Sequence, residues 1–122
     1  MDHSRPILVV EDDDDTRAMV STVLGFEGHD VITAANGQEA FVQAQQHRPC
    51  LILLDLMMPV MTGEQFRAAQ LADPSIVDIP VVVLSAHHDA VAIANRMKVA
   101  GCLRKPVDFD ALADVIRRRC GS

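Results

Sequence analysis

The fold of this chain is decided by one stretch, LILLDLMMP at residues 51–59. Its run of aliphatic residues is typical of a strand that is buried on both faces, as in a parallel sheet. Asp55 would then lie at the carboxyl end of the strand, at the edge where open α/β sheets place their ligand sites. The alternative is that Asp55 only caps a turn, as many acids after strands do.

The composition describes a single soluble globular domain. Of 122 residues, 49% are hydrophobic and 23% are charged, which fits one domain large enough to bury a core. Only 3% are aromatic, so aliphatic side chains and methionine must fill that core. The net charge of -6 argues against direct nucleic-acid binding, which needs a basic face. It is compatible with a bound cation.

The sequence predicts neither a membrane span nor an export signal. No stretch approaches the roughly 20 apolar residues that cross a bilayer, and the first six residues, MDHSRP, lack the apolar core of a signal peptide. We therefore expect a cytoplasmic protein. Three widely spaced cysteines predict no disulfide framework and no CxxC site. We expect Cys50 and Cys102 to be reduced and mostly buried, and Cys120 to be open to oxidation in vitro.

Short apolar runs alternate with segments of helical periodicity along the chain. A turn is expected at Asn36-Gly37, and a surface connection at 73–80. Five βα units of this kind predict a parallel sheet with helices on both faces. The predicted strands are 7–10, 29–34, 51–55, 81–85 and 102–104, and the predicted helices are 16–26, 38–47, 62–71, 89–99 and 108–119.

Polar side chains stand at the ends of three predicted strands. Glu11 and Asp12 follow the first, Asp55 ends the third and Ser85 ends the fourth. Because the carboxyl ends of parallel strands emerge at one edge, these groups should converge, and carboxylates that close repel one another. A hard divalent cation such as Mg²⁺ would offset that repulsion. We assign the acids at 13–15 to the start of the first helix, with a shift of one residue left open.

Four motifs together resemble the receiver domains of bacterial two-component response regulators, the chemotaxis receiver included. They are VVED at 9–12, LDLMMP at 54–59 followed by Gly63, VLSA at 83–86, and KP at 105–106. Each motif is weak alone, but their order and spacing are specific and cover essentially the whole chain. The resemblance implies a flavodoxin-like sheet of strand order 2-1-3-4-5 with five flanking helices, forming one domain over residues 1–122.

The resemblance implies a phosphoacceptor and a metal site at the carboxyl edge. Asp55 would be the phosphoacceptor, and its carboxylate would attack a phosphohistidine on a partner kinase. Glu11, Asp12, Asp55 and the backbone carbonyl of Met57 would hold Mg²⁺, which reduces repulsion between the nucleophile and the incoming phosphoryl oxygens. The only enzymology expected is transfer to the chain itself and slow hydrolysis.

Two further residues gain a role from the resemblance. Lys105 would place its ammonium against a phosphoryl oxygen, and a cis peptide before Pro106 would aim it inward. In an arbitrary chain, such a lysine is more often a solvated surface residue. Ser85 would hydrogen-bond to the phosphoryl group and report phosphorylation to the next helix. Its alternative role, a helix cap, fits poorly if that helix begins near Asp89.

The chain departs from the family pattern at the switch position. Many receivers carry Tyr or Phe three residues before the lysine, where this chain has Cys102, so the readout of phosphorylation must differ or be weaker. Met57 and His87 would flank the phosphoryl group, and Met57 brings no acid or amide to orient a water. We therefore expect slow hydrolysis.

Two other clusters, one of histidines and one of arginines, are interpreted as structural rather than functional. The pair His87-His88 is interpreted as loop, since adjacent histidines rarely chelate one ion well. The run Arg117-Arg118-Arg119 is interpreted as the cationic end of a helix rather than a nucleic-acid patch. Both interpretations keep the expected chemistry at the carboxyl edge.

The most favoured function is that of a phosphoacceptor module, standing alone or as part of a longer protein. Its partners would be a sensor histidine kinase or a histidine phosphotransfer protein, and a downstream protein bound through the face at 89–119, with pairing to a second copy left open. The alternatives are the receiver of a hybrid kinase or a phosphorelay intermediate. A flavodoxin-like enzyme is disfavoured by the acidic first loop and the absence of Trp and Tyr, and a phosphatase by the small size of the domain.

Overall fold

Five parallel strands form one sheet in the order β2-β1-β3-β4-β5, as the resemblance implied. The computed structural model describes residues 5–58 and 60–120, so the N-terminal stretch 1–4 and the motif residue Pro59 lie outside the described residues. The elements are β1 (Ile7–Val10), α1 (Asp14–Phe26), β2 (Val31–Ala34), α2 (Gly37–His47), β3 (Leu51–Asp55), α3 (Gly63–Leu71), β4 (Val81–Ser85), α4 (Ala90–Met97), β5 (Gly101–Arg104) and α5 (Phe109–Cys120).

Side-chain caps set the starts of the first three helices. Asp13, Asn36 and Thr62 each accept a hydrogen bond from the backbone amide three residues further on, which satisfies a donor that the first turn leaves free. The predicted turn at Asn36-Gly37 is therefore the cap and first residue of α2. The acids at 13–15 begin α1, as predicted, and Asp14 and Asp15 complement its dipole.

Strand β3 occupies the centre of the sheet, and all five of its residues are buried. Its side chains alternate between two apolar layers, one under α2, α3 and α4 and the other under α1 and α5. The connection at 73–80, predicted to lie on the surface, contributes Ile76 and Ile79 to the first layer. Gln70, itself fully buried, donates from Nε2 to the carbonyl oxygens of both isoleucines at 3.0 and 2.9 Å.

A guanidinium group links α3 to the end of α4. Arg67 donates from Nε to the carbonyl oxygen of Met97 (3.1 Å) and from a terminal nitrogen to that of Lys98 (2.8 Å). It also donates to Oε1 of Gln70 at 2.7 Å. These bonds satisfy carbonyls that the last turn of α4 leaves without a helical partner. At the other end of α4, Asp89 makes no side-chain cap bond, and the Ala90 amide donates instead to the carbonyl oxygen of His87 at 3.1 Å.

The cysteine prediction was wrong in one respect. Cys50, just before β3, is joined to Cys120, the last residue of α5, with their Cα atoms 5.4 Å apart. Cys102 is a free, partly buried thiol. The prediction rested on spacing along the chain, whereas the pairing arises because α5 runs antiparallel to the strands and brings its end to the amino edge of the sheet, where Cys50 lies.

The order and direction of the strands determine where a functional site can lie. The carboxyl ends of β1, β3 and β4 meet at one edge because the three strands are adjacent and parallel. Among residues 5–58 and 60–120, no helix is long and apolar enough to cross a bilayer.

Candidate functional site

Three carboxylates converge at the carboxyl edge of the sheet. Glu11 follows β1 and is 1% exposed, and Asp55 ends β3 and is 5% exposed. Asp12, the third acid, is exposed to solvent. One carboxylate oxygen from each of the three lies within 4.8 Å of the others. The convergence predicted from the strand ends is therefore present, with Asp12 at its mouth.

Lys105 supplies a positive charge to this cluster. Its Nζ forms a short hydrogen bond with Oε1 of Glu11 and lies 3.7 Å from Oδ1 of Asp55. The backbone amide of Lys105 donates to the carbonyl oxygen of Ser85 at 3.0 Å, and the peptide bond between Lys105 and Pro106 is cis, as the resemblance suggested. The lysine is thus an inward-facing group and not a solvated surface residue.

The electrostatics of the site centre on Asp55. Burial raises its pKa from the ordinary 3.8 to about 8, helped by hydrogen bonding to Glu11 and the negative charge of Glu11, while Lys105 opposes the shift. For Lys105, burial alone would lower the pKa, but the hydrogen bond to Glu11 and the charges of Asp55 and Glu11 outweigh it and raise the pKa. One ammonium therefore does not balance the negative charge of the cluster.

The donor set fits a hard divalent cation. Carboxylate oxygens on three side chains within 4.8 Å match the preference of Mg²⁺ for oxygen ligands, with water completing an octahedral shell. The exposed side chain of Asp12 leaves a path for such water. Burial is the main cause of the raised pKa of Asp55, and the negative charge of Glu11 adds to it; a cation would offset that second contribution.

Two other predicted site residues, Met57 and Ser85, lie at the carboxyl ends of β3 and β4. The Met57 amide nitrogen lies 3.4 Å from Oδ1 of Asp55, and its side chain is exposed, so the backbone of Met57 adjoins the cluster. Ser85 is 2% exposed, and its Oγ accepts a hydrogen bond from the His87 amide at 3.0 Å. The roles of Met57 and Ser85 stay predictions.

Two contributors were missed by the sequence reasoning. Arg17, in α1, donates to the carbonyl oxygen of Glu11 at 2.8 Å and so holds the end of β1 in place. Gly63 was noted only as part of a motif. A methyl group there would lie 2.8 Å from the Asp55 carbonyl oxygen and 3.0 Å from Cα of Leu56. The signal for Arg17 was its place in the first turns of the helix that follows the acids, and the signal for Gly63 was its place at the start of α3.

A second group of potential metal ligands lies outside this cluster. His87, His88 and Asp89 each place one ligand atom within 4.8 Å of the others. They are consecutive loop residues, as predicted, with the two rings stacked and His88 paired with Asp89 at 3.2 Å. These contacts are local to the loop, and we assign no metal to them.

Sequence comparison identifies relatives of the chain. A family model described as the response regulator receiver domain matches residues 7–117. The transcriptional regulatory protein GlrR of Escherichia coli is 37% identical over 114 residues, covering 90% of this chain and 25% of that protein. The DNA-binding response regulator MtrA of Mycolicibacterium smegmatis is 38% identical over 87 residues, covering 71% and 37%. The chain therefore spans between a quarter and two fifths of these two relatives.

Solved structures give the same result at the level of the fold. The chemotaxis protein CheY4 of Vibrio cholerae has a TM-score of 0.85 and 32% identity, covering 94% of this chain and 98% of that one. The receiver domain of the sensor histidine kinase PA1611 from Pseudomonas aeruginosa, which holds a magnesium ion in its active-site cleft, has a TM-score of 0.88 and 25% identity, covering 98% and 99%. Together with the acidic cleft and the order of its strands, these matches show that the chain belongs to the response regulator receiver domain family of two-component signalling.

Proposed function

We propose that Asp55 accepts a phosphoryl group from a phosphohistidine on a partner protein, in a reaction that needs Mg²⁺. The observation that carries this proposal is the convergence of Glu11, Asp12 and Asp55 within 4.8 Å, with Lys105 Nζ 3.7 Å from the Asp55 carboxylate. A lone buried acid has no such surroundings. Three acids and one ammonium at a strand end are suited to receive a group that carries its own negative oxygens.

The transfer needs Asp55 in its ionised form. One carboxylate oxygen attacks phosphorus, the bond from phosphorus to the histidine nitrogen breaks, and that nitrogen keeps the electron pair. Lys105, already directed at Oδ1 of Asp55, then stabilises a phosphoryl oxygen by charge-assisted hydrogen bonding. Glu11 fixes the position of that ammonium, because it accepts the short hydrogen bond from Nζ.

Glu11, Asp12 and Asp55, with the backbone carbonyl of Met57, are the residues that would hold Mg²⁺. When bound, the cation supplies charge neutralisation for the phosphoryl oxygens. Glu11 is buried and fixed by Lys105 and by the Asp13 amide, which donates to its Oε2 at 3.2 Å. Asp12 is exposed and therefore free to adjust. The chain thus offers one rigid and one adjustable carboxylate beside the nucleophile.

Intact mass spectrometry tests the proposal directly. The chain is incubated with Mg²⁺ and acetyl phosphate, and a phosphate-sized gain in mass is expected. The gain should be absent from Asp55→Asn and should be prevented by chelating the metal. Asp30→Asn, which removes an exposed acid far from the carboxyl edge, serves as the matched control and should gain mass as the unmodified chain does.

A phosphate-sized mass gain in Asp55→Asn would show that another group is modified. If neither chain gained mass, a cognate kinase or phosphotransfer protein would have to be supplied as the donor. Absence of transfer from that donor, while Mg²⁺ still bound, would overturn the assignment of Asp55 as acceptor.

We infer that Ser85 carries the readout of phosphorylation toward α4. Its buried Oγ accepts a hydrogen bond from the His87 amide and, among residues 5–58 and 60–120, donates none, so its hydroxyl is available to donate to a phosphoryl oxygen. Cys102 fills the position of the usual aromatic and packs partly buried against the layer under α4. Backbone amide shifts across 86–103 should therefore change on phosphorylation. Identical spectra of the phosphorylated and free chains would show that Ser85 does not pass a change on to α4.

We further infer a long-lived phosphoryl group. Met57, two residues beyond Asp55, has an exposed thioether side chain that neither donates to nor orients a water molecule. Slow decay of the purified phosphoprotein is expected, and replacement by Asn or Glu at this position should speed it. Rapid decay of the unmodified phosphoprotein would contradict this inference.

The partners are proposed from the family. A sensor histidine kinase or a histidine phosphotransfer protein would donate or receive the phosphoryl group, and the face at 89–119 would bind the downstream partner or a second copy. Val91 on this face is 54% exposed. Since GlrR and MtrA are far longer than this chain and one structural neighbour is a kinase receiver, the role within a longer protein, a hybrid kinase included, is a separate proposal. Transfer from the phosphorylated chain to a phosphotransfer domain would test it.

A further inference from the structure

The amino edge of the sheet, opposite the acidic cleft, holds a cysteine pair that the proposed function does not use. Cys50 lies just before β3 and is 8% exposed. Cys120 ends α5, 70 positions further along the chain, and the two Cα atoms are 5.4 Å apart. That separation lies within the range that a disulfide bridges without backbone movement. In proteins of a reducing compartment, such bonds are usually transient and redox-sensing.

A polar cleft borders Cys50, one member of this pair. It measures about 240 Å³, and its lining includes Cys50 together with three guanidinium groups, those of Arg5, Arg48 and Arg119. Among the described residues, none of these arginines forms a salt bridge, and Arg5 donates only to the carbonyl oxygens of Arg48 and Pro49, both at 2.7 Å. One acid, Asp78, lines the same cleft. The balance of charge favours a small anionic reagent.

We propose that Cys50 and Cys120 form a reversible disulfide that responds to small anionic disulfides of the glutathione type. The thiolate of one cysteine attacks the reagent's disulfide, forming a mixed disulfide and releasing one reagent thiol. The second cysteine attacks the mixed disulfide and releases the other. Two protein thiols are oxidised, one reagent disulfide is reduced to two thiols, and the two protein protons end on the released thiols.

The disulfide fixes the last turn of α5. In that turn, Ile116 is buried, but the three following arginines are exposed, so little besides Cys120 attaches the end of the helix to the sheet. Reduction therefore frees the final turn and leaves Leu112 and Ile116 in the core. Asp55 lies at the other end of β3, roughly 15 Å away at the rise of an extended strand, so phosphoryl chemistry should not depend on the redox state.

Redox equilibration tests the proposal. The chain is held at a series of ratios of reduced to oxidised glutathione, the free thiols are trapped by alkylation, and the number of alkyl groups is read from intact mass. The fully reduced chain should take three alkyl groups and the oxidised chain one, on Cys102. Cys102→Ala should keep the transition, whereas Cys50→Ser and Cys120→Ser should each abolish it. The oxidised form should melt about 10 °C higher.

The charge of the reagent tests the role of the cleft. Oxidation by oxidised glutathione should be several-fold faster than by cystamine, a cationic disulfide, and Arg119→Gln should reduce that advantage. Equal rates with both reagents would overturn the assignment of an anionic reagent. A chain that stays reduced at the oxidising limit, that forms disulfide-linked dimers, or whose bond resists reduction while folded would overturn the reversible switch.

Discussion

At the amino end of β3, Cys50 is joined to Cys120 and the neighbouring guanidinium of Arg5 meets carbonyl oxygens. At the carboxyl end of the same strand, Asp55 faces Glu11 and Asp12 with one ammonium between them. The first set of contacts fastens a helix to the sheet. The second set places two buried carboxylates beside an exposed one, which disfavours the metal-free folded state. Stability and function are thus supported at opposite ends of one strand, as the trade-off between stability and activity leads one to expect.

The largest expected loss of stability comes from removing the positive charge of the acidic end. Lys105→Met leaves Glu11 buried without its partner and should lower the free energy of unfolding by about 3 kcal/mol in chelator. Saturating Mg²⁺ should recover much of that loss, because a cation again faces the acids. Urea unfolding with and without Mg²⁺ measures both effects. Lys98→Met, at the exposed end of α4, is the control. An equal loss of stability in Lys98→Met would show that the ammonium of Lys105 beside the acids has no special effect.

The next largest loss of stability is expected where the chain packs closely behind Asp55. In Gly63→Ala, the added methyl group meets the backbone of Asp55 and Leu56 at 2.8 and 3.0 Å, so the end of β3 must move, at a cost of about 2 kcal/mol. Phosphorylation by acetyl phosphate should also slow. Gly25→Ala is the matched control, since no atom within 4 Å meets its methyl group, and it should be neutral or slightly stabilising.

If Gly63→Ala folds as stably as the unmodified chain, the close approach at the end of β3 is not a constraint. Thermal unfolding of both alanine variants side by side decides the matter. If Gly63→Ala lost phosphorylation but kept its stability, the added methyl group would act only by displacing Asp55.

The charge of Asp55 gives a pH-dependent effect. The folded protein holds this proton up to a pKa of about 8, against 3.8 ordinarily, so between about pH 4 and pH 8 the folded state binds more protons than the unfolded state. Stability must then fall as pH rises through that window. Asp55→Asn should escape the fall and be more stable near pH 8 by on the order of 1 kcal/mol, with no gain below pH 4.

Urea unfolding in chelator from pH 4 to pH 8 measures this difference, with Asp30→Asn as the control. Parallel curves for Asp55→Asn and the unmodified chain would show that the carboxylate is not disfavoured by its site. Added Mg²⁺ should flatten the dependence for the unmodified chain, because metal binding competes with the proton.

The smallest effect concerns the loop beyond Asp55. Val60 has φ of 68°, a left-handed conformation that a β-branched residue seldom adopts, and its side chain is 75% exposed. Val60→Gly should therefore gain up to about 1 kcal/mol by relieving the backbone. Val42→Gly, at an exposed helical position of α2, should lose stability instead. A loss at both positions would argue against strain in the loop.

The sequence predicted the elements well because their signals are local. Apolar runs such as 51–54 and 81–84 have no other stable place than the centre of a parallel sheet, and capping residues mark where helices begin. The convergence of Glu11, Asp12 and Asp55 followed from the same pattern, since parallel strands end at one edge. The order of the strands came only from the resemblance to a family.

What could not be predicted depends on contacts between distant parts of the chain. The link between Cys50 and Cys120 requires knowing that α5 ends beside the start of the central strand. The burial of Ile76 and Ile79 requires the amide of Gln70 to accommodate their carbonyls. Repulsion among the acids was predicted, but the raised pKa of Asp55 depends on the relative burial of the three carboxylates.

The bonds of Arg67 have a mechanical consequence for α4. Its carbonyl end, at Met97 and Lys98, is held to α3 by two hydrogen bonds, whereas its other end, at Asp89, lacks a side-chain cap bond and lies a few residues beyond Ser85. A helix of eight residues is a rod about 12 Å long. Because its carbonyl end is bonded to α3, we expect a displacement near Ser85 to tilt α4 about Lys98 rather than slide it along the sheet.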